Sequence, residues 1–332
     1  MSFMLKIILK KYNYPFSFEE QLNYSLKQNE IRITTKFAGI SFTDVVIKKG
    51  FYAYQKENFP LPLNLGFEAS GVITEIGESV VNFMVGDTVA VLKMFGCFSE
   101  EIIAVSSDLI HLDKNYDLDI AASLPVNFIT AYHALHNIIK IFEGSNILVT
   151  SAAGGVGGMI VQLASKTATV TGVVRSAEKF SYVKNLGANN VVTYDQIDDS
   201  VTFDVMFISS GQNLKEYQRL LNPNGKIVIY GFNELVPDNW KSYPWIVLKY
   251  ISLVKINPLN LVYSNQTFSG FNIIKLKNTS KEYMCASEAF KEALATNSLI
   301  QPTITKFNYT EINKAFAFLE SGKSIGKIVL EF

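Results

Sequence analysis

A glycine-rich turn, Ala152-Ala153-Gly154-Gly155-Val156-Gly157, and an arginine, Arg175, are the residues whose types and spacing point most directly to chemistry. Glycines in such a turn let backbone N–H groups approach a pyrophosphate, and the N-terminus of the following helix stabilises its charge. The strand-like run Asn146–Thr150 precedes the turn and the apolar run Val156–Ala164 follows it, which is the context such a turn needs to carry weight. Ala152 stands where the first glycine of the pattern would be. Arg175 closes the next strand-like run, Thr169–Val174, about twenty residues beyond the turn, where a fold that selects NAD usually places a carboxylate on the ribose. A guanidinium fork pairs bidentately with phosphate and stays charged, so an arginine there favours the 2′-phosphate of NADP. Only three of the chain's thirty basic residues are arginines, which makes the placement informative. Lys179, one helical turn on, is spaced to add a second charge to the same phosphate. A ligand-free tight turn and a pair of solvated surface cations are the plain alternatives.

The elements around these residues follow from periodicity. Strand candidates Ile31–Phe37, Ser70–Ile76, Asp87–Val91 and Glu101–Val105, separated by Gly, Pro and Asp turns, make residues 1–125 β-rich. From Pro125, a favoured helix start, Val126–Ile139 has helical apolar spacing. Strands and helices then alternate: Asn146–Thr150, Val156–Ser165, Thr169–Val174, Glu178–Leu186, Val191–Thr193, Phe203–Ile208, Leu214–Leu221 and Lys226–Tyr230. Such alternation with short connections predicts a doubly wound parallel sheet covered on both faces. Mixed character returns with a helix over Lys281–Ala295, a strand over Thr303–Phe307, a helix over Glu311–Leu319 and a last strand over Lys327–Phe332. The order suggests an α/β chain in which a sheet domain is interrupted by an inserted dinucleotide domain. The expected divisions are 1–125, 126–275 and 276–332.

Composition narrows the function classes. With 332 residues, 48% hydrophobic and 18% charged, the chain is long enough for two cores and is not of the disordered type. Zero formal net charge argues against nucleic acid as a main partner. Two cysteines, Cys97 and Cys285, form no disulfide framework, and a reducing, cytoplasmic setting is the simplest reading. Met1–Leu9 is too short for a secretory apolar region and reads as an opening strand. Trp245–Val254 is too short to span a bilayer, so the expectation is a protein at most peripheral to a membrane.

Several ordered segments carry a family resemblance: Ala38-Gly39-Ile40-Ser41-Phe42-Thr43-Asp44, Gly50-Phe51-Tyr52, Gly66-Phe67-Glu68-Ala69-Ser70-Gly71-Val72, Val85-Gly86-Asp87, Ala121–Tyr132, the glycine turn, Leu186-Gly187-Ala188 and Gly326-Lys327-Ile328-Val329-Leu330. From about Ile31 to the end the chain resembles the zinc-independent quinone oxidoreductase branch of the medium-chain dehydrogenase/reductase superfamily, and VAT-1-like members most closely. The resemblance implies a GroES-like catalytic domain, completed by the C-terminal segment, with an inserted Rossmann domain. It implies reduction of quinones, or of carbon–carbon double bonds conjugated to a carbonyl, for which the NADPH that Arg175 points to would supply the hydride. It further implies cofactor contacts at Thr130, Ala153, Gly154, Gly155, Val156, Gly157, Arg175, Lys179, Tyr194, Ser209, Ser210, Gly211, Gly231, Gly326 and Lys327.

Zinc-dependent relatives carry a Cys and a His at the positions of Ser41 and Phe67, and a phenyl ring cannot coordinate zinc. Their structural loop of four cysteines is missing between Val89 and Glu101, and His111, His133 and His136 form no ligand pattern. No metal is expected. Conjugate hydride addition needs no Lewis acid, but the charge it leaves on the acceptor needs a hydrogen-bond donor and then a proton. Tyr52 matches an aromatic hydroxyl position of the family, for donation or stacking. Asp44 stands where it could orient that network, and Ser41, where relatives often have asparagine, could reach the nicotinamide ribose. Tyr52 could equally pack with its hydroxyl exposed, and Asp44 could cap a helix.

The insert 235–262 holds both tryptophans, Trp240 and Trp245, among Tyr243, Ile246, Leu248 and Tyr250. A packed interface helix, a pocket wall and a membrane-surface face over 240–255 all fit such a stretch. After it, Phe268–Ile274 reads as a sheet-edge strand, which the resemblance would pair with its copy in a homodimer. Two functions remain in view: the NADPH-dependent reductase, and a VAT-1-like protein that keeps the nucleotide but acts at a membrane or on a partner.

Overall fold

Short runs rich in β-branched and apolar residues, set between Gly, Pro and Asp turns, fill the first third of the chain, and strands form there. The computed structural model describes residues 3–22, 24–52, 59–210, 214–231, 258–276 and 280–332. The chain divides into two compact units, Met1–Asn127 with Ser287–Phe332, and Phe128–Ala286. The second crossing thus falls inside the helix Lys281–Ala295.

The first unit opens with β1 (Phe3–Leu9), β2 (Ser17–Leu22), β3 (Glu30–Ile40), β4 (Leu63–Asn64), β5 (Glu68–Ile76), β6 (Thr88–Leu92), β7 (Glu101–Val105) and β8 (Leu109–His111). In β3, Ile31 and Ile33 are fully buried, and the strand pairs antiparallel with both β5 and β7. Arg32 lies between them, also buried, because Glu75 of β5 and Glu101 of β7 meet its guanidinium at 2.7 and 3.1 Å. Helix α1 (Phe42–Lys49) follows β3 and ends at Gly50, whose φ of 81° is the left-handed turn that stops a helix.

Helix α2 (Pro125–Tyr132) leads into the second unit. There the strands are β9 (Asn146–Thr150), β10 (Thr169–Val174), β11 (Asn190–Thr193), β12 (Phe203–Ile208), β13 (Leu221–Ile229) and β14 (Thr267–Gly270). They form one sheet in the order β11-β10-β9-β12-β13-β14, parallel at every pairing. Central residues such as Leu148, Val149, Met206 and Phe207 are fully buried, as a strand covered on both faces requires. The chain runs outward from β9 to β11 and then crosses to β12 on the other side, the doubly wound arrangement whose ligands bind at the carboxyl ends of the strands. Helix α3 (Gly155–Ala164) joins β9 to β10.

The chain then returns to the first unit. There β15 (Ile304–Asn308) pairs parallel with β16 (Lys327–Glu331), and β16 pairs antiparallel with β3. This is the α/β architecture expected, a GroES-like β-rich unit interrupted by a Rossmann unit.

Two expectations are corrected, and one strand went unforeseen. The helical run Val126–Ile139 is α-helical only to Tyr132, and His133–Ile138 continue as a π-helix. The strand expected over Phe268–Ile274 stops at Gly270, where pairing with β13 ends, and Ile273–Leu276 are helical. The opening strand has a partner that periodicity did not reveal, β2, antiparallel to β1. Its sequence Ser-Phe-Glu-Glu-Gln-Leu has only two apolar residues, spaced too far apart to signal an edge strand. The stretch 240–255 and Gly211 lie outside the described residues.

Candidate active site

In the second unit the structure gathers most of the expected nucleotide contacts at one edge of the sheet. The turn after β9, Arg175 after β10, Tyr194 after β11, Ser209 and Ser210 after β12 and Gly231 after β13 all follow the carboxyl ends of parallel strands. Adjacent registers enforce this: Thr150 lies opposite Val173, and the Ala152 N–H donates to the Val173 carbonyl at 3.1 Å. Helix α3 begins at Gly155 behind the N-cap Gly154, which offers no side-chain cap. The first amides of α3 therefore lack a side-chain acceptor, the condition that makes a helix N-terminus receptive to an anion. At Gly157 a Cβ would fall 2.4 Å from the Ser151 carbonyl oxygen, so only glycine permits this close approach.

Beside that turn stand two cations. Arg175 is exposed and meets no carboxylate in an ion pair among the described residues. Lys179 is mostly buried, and its pKa is lowered, first by burial and then by the Arg175 charge. The Glu178 carboxylate acts on the same ammonium in the opposite direction, and an added anion would lower the repulsion between the two cations. Thr130 is buried within α2.

The hydroxyls at the same edge are tied to one another. The Ser209 N–H donates to Thr150 Oγ1 at 2.8 Å, Ser151 Oγ and Ser209 Oγ are 2.7 Å apart, and the Tyr230 hydroxyl donates to the Thr150 carbonyl at 2.7 Å. Tyr230, Thr150 and Ser151 were not identified from the sequence. The one local signal was the position of Tyr230 directly before Gly231 at a strand end.

In the first unit, Ser41 and Asp44 form a reciprocal cap at the start of α1. Ser41 donates from both its N–H and its Oγ to Asp44 Oδ2 at 2.8 Å, and the Gly66 N–H donates to Asp44 Oδ1 at 3.1 Å. Asp44 is fully buried, and burial pushes its pKa up to about 6 against those three donors and the Lys327 charge. The carboxylate is thus ionised at neutral pH, with both oxygens occupied by backbone and hydroxyl donors. Tyr52 packs edge-on against Phe59 at 5.3 Å, Phe59 on Phe95 at 4.9 Å, and Phe95 on Phe67 at 5.0 Å. Phe95 sustains this chain of rings at φ 70°, a backbone state bulky residues seldom adopt.

Gly326 and Lys327 lie at the start of β16 in this same unit. Gly326 has φ 69°, and a Cβ there would meet the Thr303 carbonyl at 2.2 Å. Lys327 is 5% exposed and forms an ion pair at 2.5 Å with Glu68, which is fully buried. The other oxygen of Glu68 accepts the Val126 N–H of α2 at 2.8 Å, stabilising the positive end of that helix.

The donor set does not suit a catalytic zinc. Ser41 is engaged with Asp44, the Phe67 ring faces Phe95, and the described residues contain no group of three or more His, Cys, Asp or Glu able to hold a metal ion.

Comparison with known proteins agrees with this architecture. Residues 27–112 match the family described as alcohol dehydrogenase GroES-like domain, and residues 155–292 the family described as zinc-binding dehydrogenase. The rat quinone oxidoreductase-like protein 2 is 30% identical over 331 residues, covering 95% of this chain and 89% of that protein. The mouse synaptic vesicle membrane protein VAT-1 homolog-like is 26% identical over 318 residues, covering 92% of this chain and 75% of that protein. The Escherichia coli quinone oxidoreductase, solved in complex with NADPH, superposes with a TM-score of 0.84 at 22% identity, covering 99% of this chain and 100% of that one. With the parallel sheet, the glycine turn and a phenyl ring at Phe67 already in view, these matches establish that the chain belongs to the zinc-independent quinone oxidoreductase branch of the medium-chain dehydrogenase/reductase superfamily, close to its VAT-1-like members.

Proposed function

We propose that the protein is an NADPH-dependent reductase of quinones or α,β-unsaturated carbonyls. The observation that carries this reading is the juxtaposition of Arg175 and Lys179 with the uncapped start of α3, all at the carboxyl edge of one parallel sheet. When bound, the nucleotide supplies the hydride. The residues of this chain have separate tasks. The turn Ala153–Gly157 holds the pyrophosphate, Arg175 and Lys179 hold the 2′-phosphate, and Tyr194, Ser209, Ser210 and Gly231 border the same edge. In the first unit, the Tyr52 phenol is the donor proposed for the acceptor oxygen. Asp44 and Ser41 fix α1, which carries the chain to Tyr52, through the cap described above.

The test follows NADPH absorbance against 1,4-benzoquinone, 9,10-phenanthrenequinone and simple enones, with NADH as control. Turnover of at least one acceptor with preference for NADPH is the expected result. No turnover of any acceptor would remove the reductase reading.

A second reading has a specific observation behind it. On the helix Pro258–Ser264, which closes the insert, Leu259, Val262 and Tyr263 are 75%, 80% and 94% exposed. That face suits a membrane surface or a protein partner, although no helix among the described residues is long and apolar enough to cross a membrane. Firm liposome binding without turnover would favour it. The outer edge of β14, which pairs only with β13 among the described strands, suits strand pairing with a second copy, so a homodimer is part of the proposal.

A further inference from the structure

The glycine turn is built on a residue that pays a conformational cost, Ser151, at φ 51°. For a residue other than glycine, the left-handed region is disfavoured and persists only where the surroundings impose it. Here three groups do so. The Tyr230 hydroxyl donates to the carbonyl of Thr150, the residue directly before Ser151, at 2.7 Å. Ser209 Oγ bonds Ser151 Oγ at 2.7 Å. Thr150 Oγ1 accepts the Ser209 N–H at 2.8 Å, which locks Ser209 in place.

Tyr230 also reaches the helix. The phenol oxygen lies 3.0 Å from where a Cβ on Gly157 would stand, and that same Cβ would lie 2.4 Å from the Ser151 carbonyl oxygen. One hydroxyl therefore bonds the end of β9 and borders the space that Gly157, in the first turn of α3, must leave empty. Burial and the neighbouring Tyr194 phenol push the Tyr230 pKa well above its ordinary value, so the group remains a proton-bearing donor throughout the working range.

We infer that Tyr230, assisted by Ser209, is a positioning residue for pyrophosphate: it holds Ser151 in the left-handed state that presents the start of α3 to the nucleotide. Its action is through the turn rather than on the ligand, and the inference rests on the nucleotide site proposed above. It also gives Ser209 a different task from the direct contact the family resemblance implies, since its side chain is spent on Ser151 and Thr150.

The experiment titrates the wild-type protein, Tyr230→Phe and Ser209→Ala with NADPH, ADP and adenosine 2′-phosphate by calorimetry, with melting temperature recorded for each. ADP carries the pyrophosphate without the 2′-phosphate, and adenosine 2′-phosphate the reverse. Tyr230→Phe is expected to weaken NADPH and ADP by about three- to tenfold, the loss of one hydrogen bond, and to leave adenosine 2′-phosphate unchanged. Equal weakening of all three ligands would mean a merely structural tyrosine and overturn the inference, as would unchanged binding of all three. Should Tyr230→Phe fail to fold, Ser209→Ala carries the same comparison with the same deciding pattern. A wild-type protein that binds none of the three would sink the nucleotide reading and this inference with it. Wild-type binding with an insensitive Tyr230→Phe sinks the inference alone.

Discussion

The two units treat their charged groups in opposite ways. In the first, Asp44, Glu68 and Lys327 are buried and their contacts are to each other's neighbours: Ser41, Gly66, Val126 and one another. In the second, Arg175 stands exposed and Lys179 is pressed beside it with its pKa lowered. Buried polar groups need complete satisfaction, whereas groups that bind a ligand must keep capacity in reserve. The contrast teaches that charge in the first unit is paired inside the framework, while Arg175 in the second stays at the surface, where the proposed nucleotide site would use it. Substitutions in the first unit should therefore register chiefly in stability, and those in the second in nucleotide affinity.

The largest effect belongs to the Glu68–Lys327 pair. Glu68→Ala leaves a buried ammonium without its carboxylate and the Val126 N–H without its acceptor. A loss of about 3–5 kcal/mol in urea unfolding is expected; a loss below about 1 kcal/mol would break the claim that this pair is structural.

Asp44 gives the next effect, with a defined pH window. Its pKa is about 6 in the folded protein against 3.8 for an ordinary aspartate. Between these values the folded chain holds the proton more tightly than the unfolded chain, so this group's contribution makes stability fall as pH rises from about 4 to about 6. The difference amounts to about 3 kcal/mol at 1.36 kcal/mol per pH unit. Asp44→Asn should remove that slope in denaturation curves collected across the window. A slope unaltered by the substitution would show that the carboxylate is not held as described.

The smallest effect sharpens the other side of the contrast. Lys179→Ala should weaken NADPH by about 1 kcal/mol and leave NADH unchanged, measured by fluorescence titration. A shift in melting temperature with no change in affinity would move Lys179 to the framework class.

Much of the sheet edge was legible in the sequence. Asn146–Thr150, Thr169–Val174 and Phe203–Ile208 form strands with the limits their apolar runs implied, and the turn and Arg175 follow from them. Buried parallel strands are continuous apolar runs, and the glycines mark where the backbone must turn. Pairings distant in sequence left no such mark. Glu68 and Lys327 meet only because β16 returns to pair with β3 beside β5, and neither residue has a local pattern that announces the other. Tyr230 reaches Thr150 across the sheet, a consequence of strand order rather than of spacing. Asp44 lies between the two cases: its position three residues beyond Ser41 suggested a cap, but its full burial depends on Gly66 from a distant segment.

The central claim is that Arg175 reads the 2′-phosphate of the nucleotide. The most direct measurement is the dissociation constant of Arg175→Ala for NADPH and for NADH, side by side with the wild-type protein. The account predicts a loss of about 1.5–3 kcal/mol for NADPH, the worth of a charge-assisted contact, and little change for NADH. Equal losses for the two nucleotides, or none for either, would contradict it.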